Sequence, residues 1–148
     1  MRLIITADLT PISERLTNLS KQMSDLKPVM SAVGGILESS TRLRISNQKK
    51  DASGQKWAAL SESTLRAKRN KKGGVRGSLL VNRGMLMRSI THAASARSVI
   101  VGSNMAYARF HQEGTQNMPA RPFLGLSKHD YEDVADLLDD WLNGLIGN

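Results

Sequence analysis

The residues of this chain best suited to chemistry are its three histidines and the carboxylates and hydroxyls near them. His111 and Glu113 stand two apart in "FHQEG". A zinc-hydrolase helix needs His-Glu-x-x-His, two imidazoles one turn apart with the glutamate as base. Nothing after His111 supplies the second histidine at that spacing. His129 precedes Asp130 at the start of a helical pattern, where the carboxylate has a capping use, and His92 falls in a strand pattern. Metal centres need three or four converging ligands, and the chain has no cysteine to add to a set. The serines lack a Gly-x-Ser-x-Gly elbow, and "RNKKGGVRGS" lacks the Gly-x-x-x-x-Gly-Lys-Ser/Thr order of a phosphate loop. The expectation is a non-enzymatic protein with no catalytic, cofactor-binding or metal-binding residue.

One stretch is nevertheless densely specified: "MAYARFHQEGTQNMPARPFLGL", residues 105–126. The elements that must position it follow from periodicity. "RLIITADL" has the pattern of a short strand. "LTPISERLTNLSKQMSDLK" predicts a helix capped by Thr10, with Ile12, Leu16, Leu19, Met23 and Leu26 on one face. Pro28 restarts the pattern, and an apolar face continues to about Ile45, interrupted by Gly34-Gly35, where a close contact or a bend is expected. A basic, glycine-punctuated excursion follows at about 46–78, with Trp57 as its aromatic anchor and one helical candidate from Ser61 to about Arg69. Met85–Ser89 forms a helical turn. Ile90–Ser95 and Ser98–Gly102 predict a hairpin about Ala96-Arg97, "PFLGL" a further short strand, and "SKHDYEDVADLLDDWLNGLI" a closing helix with Ser-x-x-Asp capping at Ser127 and Asp130. The expected fold is α+β: a small, mainly antiparallel sheet flanked by helices, with a long basic loop or arm and a C-terminal helix.

At 148 residues the chain is most simply one domain, 1–148. Lacking cysteine, it suits a reducing compartment, and no apolar run approaches the ~20 residues of a membrane span. The amino terminus does not have the pattern of a signal peptide. Formal net charge is +8. Cations crowd the middle, whereas Asp130, Glu132, Asp133, Asp136, Asp139 and Asp140 crowd the last helix. A surface so divided suits a polyanion, or a second copy of the chain with acidic helix against basic loop. Sequence-independent, salt-sensitive DNA contact through Lys49, Lys50, Arg66, Lys68, Arg69, Lys71, Lys72 and Arg76 fits the basic middle. The stacking aromatics of single-strand binders are limited there to Trp57, and no helix-turn-helix or zinc-finger pattern occurs.

Four stretches in order carry a resemblance: "GQKWAALSESTLRAK", "LLVNRGMLMRSI", "VIVGSNMAYARFHQEGT" and "MPARPFLGLS", spanning residues 54–127. Together they resemble the virion morphogenesis family of tailed phages, the tail completion proteins of contractile-tailed and Mu-like phages. The resemblance implies a structural subunit of the virion neck or tail, made in the bacterial host cytoplasm. It would act in tail completion or head–tail joining, as a ring, often hexameric in related neck and tail-terminator proteins, around the DNA channel. Its partners would be itself, tail-tube or terminator and head–tail connector proteins, and packaged DNA contacted without sequence preference, with no membrane. Trp57, Leu60, Thr64, Tyr107, His111, Gly114, Arg121, Pro122, Phe123 and Trp141 would be subunit-interface or fold anchors. The alternatives are a tail terminator capping the tube and a sequence-independent DNA-binding protein. The basic excursion would either line the channel or embrace a neighbouring subunit.

Overall fold

The structure is a computed structural model that describes residues 3–4, 12–68, 80 and 84–146. Its spine is the amphipathic helix α2 (Lys27–Leu43), whose Val29, Met30, Val33 and Leu37 are buried. A three-stranded antiparallel sheet in the order β1-β3-β2 lies under it, made of β1 (Leu3–Ile4), β2 (Thr91–Ala94) and β3 (Val99–Ser103). The hairpin pairs Thr91 with Gly102 and Ala94 with Val99, and Ser95 N donates to Ser98 O at 2.8 Å where the chain reverses. The α+β class and the hairpin are as the sequence predicts. The expected first strand is described only at Leu3–Ile4; the rest of it, with Thr10 and Pro11, lies outside the described residues.

The glycine pair in α2 splits by role. A Cβ at Gly34 would lie 2.8 Å from Cγ of His92 and 2.9 Å from Cγ2 of Val99, so helix and sheet touch there, whereas one at Gly35 would meet nothing. Helix α1 (Ser13–Gln22) stops sooner than its apolar spacing predicts. Met23 is extended, Asp25 Oδ1 accepts the Lys27 backbone N–H at 2.9 Å, and Pro28 opens α2. At the second position of α2 the missing N–H of Pro28 costs no helical bond, and Leu26 still reaches the core across the break. At its other end α2 widens into a π-turn, Arg44–Gln48, which leaves the adjacent Arg44 and Ile45 both buried. The closing helix, α6 (Lys128–Ile146), packs on α1 and α2. Its start is a reciprocal capping box: Asp130 N donates to Ser127 Oγ at 3.0 Å and Ser127 N to Asp130 Oδ2 at 2.9 Å.

One expectation needs correction. "PFLGL" forms no strand, because side chains rather than a neighbouring strand take its main-chain groups. The first part of the basic excursion is tied down within its own chain. Lys50 bridges Lys56, Trp57 N donates to Lys49 O at 3.0 Å, and Asp51 Oδ1 accepts the backbone N–H groups of Ser53 (3.0 Å) and Gln55 (2.9 Å). Residues 49–57 thus close on themselves, in a turn that the Asp-x-Ser-Gly sequence favours. Helix α3 (Glu62–Lys68) follows, close to its expected bounds.

Candidate functional site

The motif at 105–126 is built on a short helix, α5 (Ala108–Glu113), that the sequence reading did not anticipate. Gly114 ends it at φ +77°, where a Cβ would stand 2.7 Å from Ala120 N and 3.0 Å from Met118 O. Only glycine fits a left-handed position with the returning backbone so near. The chain turns through Thr115–Met118 and comes back as an extended strap, residues 119–127, beside α5.

Three side chains hold this strap. Gln112 Oε1 accepts the backbone N–H groups of Phe123 and Leu124, both at 3.0 Å, and its Nε2 donates to Leu124 O at 3.2 Å. Trp57, 7% exposed, donates its indole N–H to Pro122 O at 2.8 Å. Arg44, 1% exposed, donates to Phe123 O at 2.7 Å and to Asp130 Oδ2 at 3.1 Å. The Phe123 ring is wholly buried and Pro122 half-buried. Arg121 works in the opposite direction: its Nε donates to Ala58 O at 2.8 Å and Nη2 to Ala59 O at 3.0 Å, pinning the excursion to the strap. Trp57 thus packs within the core of its own chain.

On the other side of Arg121 lies a cleft of ≈ 850 Å³ between α3, the helical turn α4 (Met85–Ser89) and the 115–119 turn. It brings together Leu60, Thr64, Lys68, Tyr107, His111 and Arg121, six of the residues singled out from sequence. Leu80, Met85, Leu86, Met118 and Pro119 complete an apolar wall. Tyr107 stands edge-on to His111, ring centroids 5.8 Å apart. His111 Nδ1 is buried without a hydrogen-bond partner among the described residues. Burial, and then the charges of Arg121 and Lys68, hold the His111 imidazole below its ordinary pKa.

Other sequence candidates lie elsewhere. Trp141 packs half-buried on the core from α6. Lys49 Nζ donates to Ile45 O at 2.5 Å, and burial, then Lys68, lowers its pKa. Lys50 and Arg66 are exposed, Arg66 reaching Glu62 at 3.4 Å. Arg69, Lys71, Lys72 and Arg76 lie outside the described residues. Among the described residues no group of three or more histidines and carboxylates is placed to hold a metal, and no carboxylate lines the cleft. The sequence reading passed over two features: the clamp made by Gln112, and the buried Arg44–Asp130 pair, whose members stand 86 residues apart.

The chain matches the phage virion morphogenesis family over residues 7–143 and belongs to that family. It is 34% identical over 120 residues to "Putative capsid assembly protein G" of Escherichia phage Mu, covering 76% of each chain. It is 30% identical over 142 residues to "Mu-like prophage FluMu G protein 2" of Haemophilus influenzae, covering 91% of each. No solved structure matches it significantly. These names point to a role in phage structure or assembly.

Proposed function

We propose that this member of the phage virion morphogenesis family is a non-enzymatic structural subunit of a tailed-phage particle. It acts in tail completion or head–tail joining at the neck, as one of several copies in a ring around the DNA channel. The observation that carries this reading is the use made of the motif. Its polar side chains Gln112 and Arg121 spend their hydrogen bonds on main-chain groups of the same chain. The cleft they frame has apolar walls and, among the described residues, no lining carboxylate to serve as acid or base. Such a motif fixes the shape of a surface. The exposed cations Lys50 and Arg66 remain available to the DNA or to a neighbouring copy.

Electron microscopy of lysates from a phage lacking this gene tests the assignment. Full heads beside detached tails of normal length are expected. Overlong tails would make the protein a tail terminator. Intact particles would overturn the assembly role and favour sequence-independent DNA binding, whose affinity falls steeply with salt.

A further inference from the structure

A second concavity, of ≈ 800 Å³, runs beside α2 and is lined by that helix, the 50–54 turn and the start of α6. Ala32, Ile36 and Leu43 supply its apolar side, and Leu43 is 47% exposed. Gly35 lies on the same side, where a Cβ would meet nothing. A helical glycine costs roughly 1 kcal/mol against alanine, and here it keeps the wall low enough for another backbone to come close. The polar groups of the floor are engaged with one another: Ser40 Oγ donates to Asp130 Oδ1, and Arg44 pairs with Asp130 Oδ2 at 3.1 Å. The buried side-chain nitrogens that lack a partner among the described residues, on Arg42 and His111, lie outside the groove. It therefore suits an apolar protein surface better than a small polar ligand.

The chain itself carries a surface of the matching kind. Phe110 of α5, 52% exposed, is the most exposed aromatic side chain among the described residues. Gln112 turns inward to the strap. Two residues on a helix stand about 200° apart, so Phe110 points away from it. The groove lies across the strap, where Arg44 meets Asp130, so the Phe110 of a chain faces away from its own groove. Charge matches as well. Lys50 and Lys128 are exposed at the groove, with Asp133 beside them, and Arg109 and Glu113 flank Phe110 as an exposed pair at 2.9 Å. Such pairs are worth little, so Glu113 can turn to the lysines of another copy while Arg109 turns to Asp133. A DNA phosphate would satisfy the lysines but not Ile36 and Leu43. We propose that Phe110 of one copy seats against Ile36 and Leu43 of the next, with Glu113 of the first beside Lys50 and Lys128 of the second. A contact between two unlike surfaces of one chain runs head to tail, and it closes into a ring when the rotation per step allows. The inference rests on the ring proposed above and names the surfaces that build it.

Photo-cross-linking in assembled particles tests the contact, with Phe110→p-benzoylphenylalanine keeping an aromatic group at the position. Irradiation and peptide mapping should join residue 110 to residues 32–43 or 50–54 of a second copy. Capture of a different particle protein, attachment to another region of a second copy, or no cross-link would each overturn the proposal. A charge exchange reads the same contact without a new chemical group. Glu113→Lys should lower the yield of infectious particles severalfold, and Lys50→Glu with Lys128→Glu in the same chain should restore it. A normal yield from Glu113→Lys, or no restoration, would overturn the proposal as well. Leu43→Lys places a charge in the apolar contact and should cut infectious particles by roughly tenfold or more. Its Tm should be unchanged, because Leu43 stands exposed in the single chain. Normal particles from Leu43→Lys contradict this inference alone, whereas intact particles without the gene contradict the assembly role.

Discussion

Arg44 and Arg121 invite direct comparison. Both are buried, and each binds a carbonyl across the junction between the 44–60 stretch and the strap. Arg44 also meets Asp130, which accepts from Ser40 Oγ at 2.5 Å and closes the capping box of α6. Its charge is answered within the chain, and one carboxylate joins α2, the strap and α6. Arg121 has the same burial and two good hydrogen bonds but no carboxylate among the described residues. Removing a guanidinium from water is costly in both places. The first site offsets that cost with an internal counter-charge and is complete. The second is met by two neutral carbonyls and lies beside a cleft. Two buried arginines in one small fold thus differ in whether a carboxylate among the described residues answers them.

Breaking the closed site should cost most. Asp130→Asn strands Arg44, and urea unfolding should show a loss of about 3–5 kcal/mol, the usual range when one partner of a buried pair is removed. A loss below about 1 kcal/mol would mean that the carbonyl of Phe123 suffices and that the two arginines do not differ. Gln112→Leu comes next. It keeps the bulk but orphans the Phe123 and Leu124 N–H groups, at about 2–6 kcal/mol given roughly 1–3 for each buried unsatisfied group. Limited proteolysis should then cut within 119–127. Arg121→Lys retains the charge and loses the planar fork to Ala58 and Ala59, and should cost about 1–2 kcal/mol in the same unfolding assay.

The smallest effect is on pH dependence. His111 has a lowered pKa in the folded chain, so below about 6.5 the unfolded state binds its proton more readily. Stability should therefore fall as pH drops through that value and level off below the folded pKa. His111→Gln should flatten the slope in that window. Asp51, lowered first by its bond from Ser53 and by neighbouring backbone N–H groups, acts in a separate, more acidic window. Its contribution is present above its unfolded pKa of about 3.9 and is lost as pH falls through the folded value.

Much of the fold was legible because its signals are local. The Ser127–Asp130 spacing specifies a capping box, the Ile90–Ser95 and Ser98–Gly102 patterns a hairpin, and the Gly34-Gly35 pair a close contact or a bend. The strap was misread because apolar "PFLGL" has the composition of a strand, and nothing local reveals that Gln112, Trp57 and Arg44 replace the ladder. The end of α1 was misread because Met23 and Leu26 keep the helical spacing of buried residues while the backbone between them is not helical. As for the site, its residue types were visible in the motif, but the convergence of α3, α4 and α5 on Arg121 is a tertiary fact. So is the pairing of Arg44 with Asp130, which turns one apparent surface cation into a core residue.

The account turns on the contrast between the two arginines, and His111 reports directly on the side of Arg121. Its pKa, followed by NMR titration of the imidazole in the full-length protein, should lie below the ordinary value of about 6.5, because burial disfavours the charged ring and the charges of Arg121 and Lys68 add to that. A value at or above the ordinary one would mean that an acid within the chain already answers Arg121, and the distinction between the two arginines would fail.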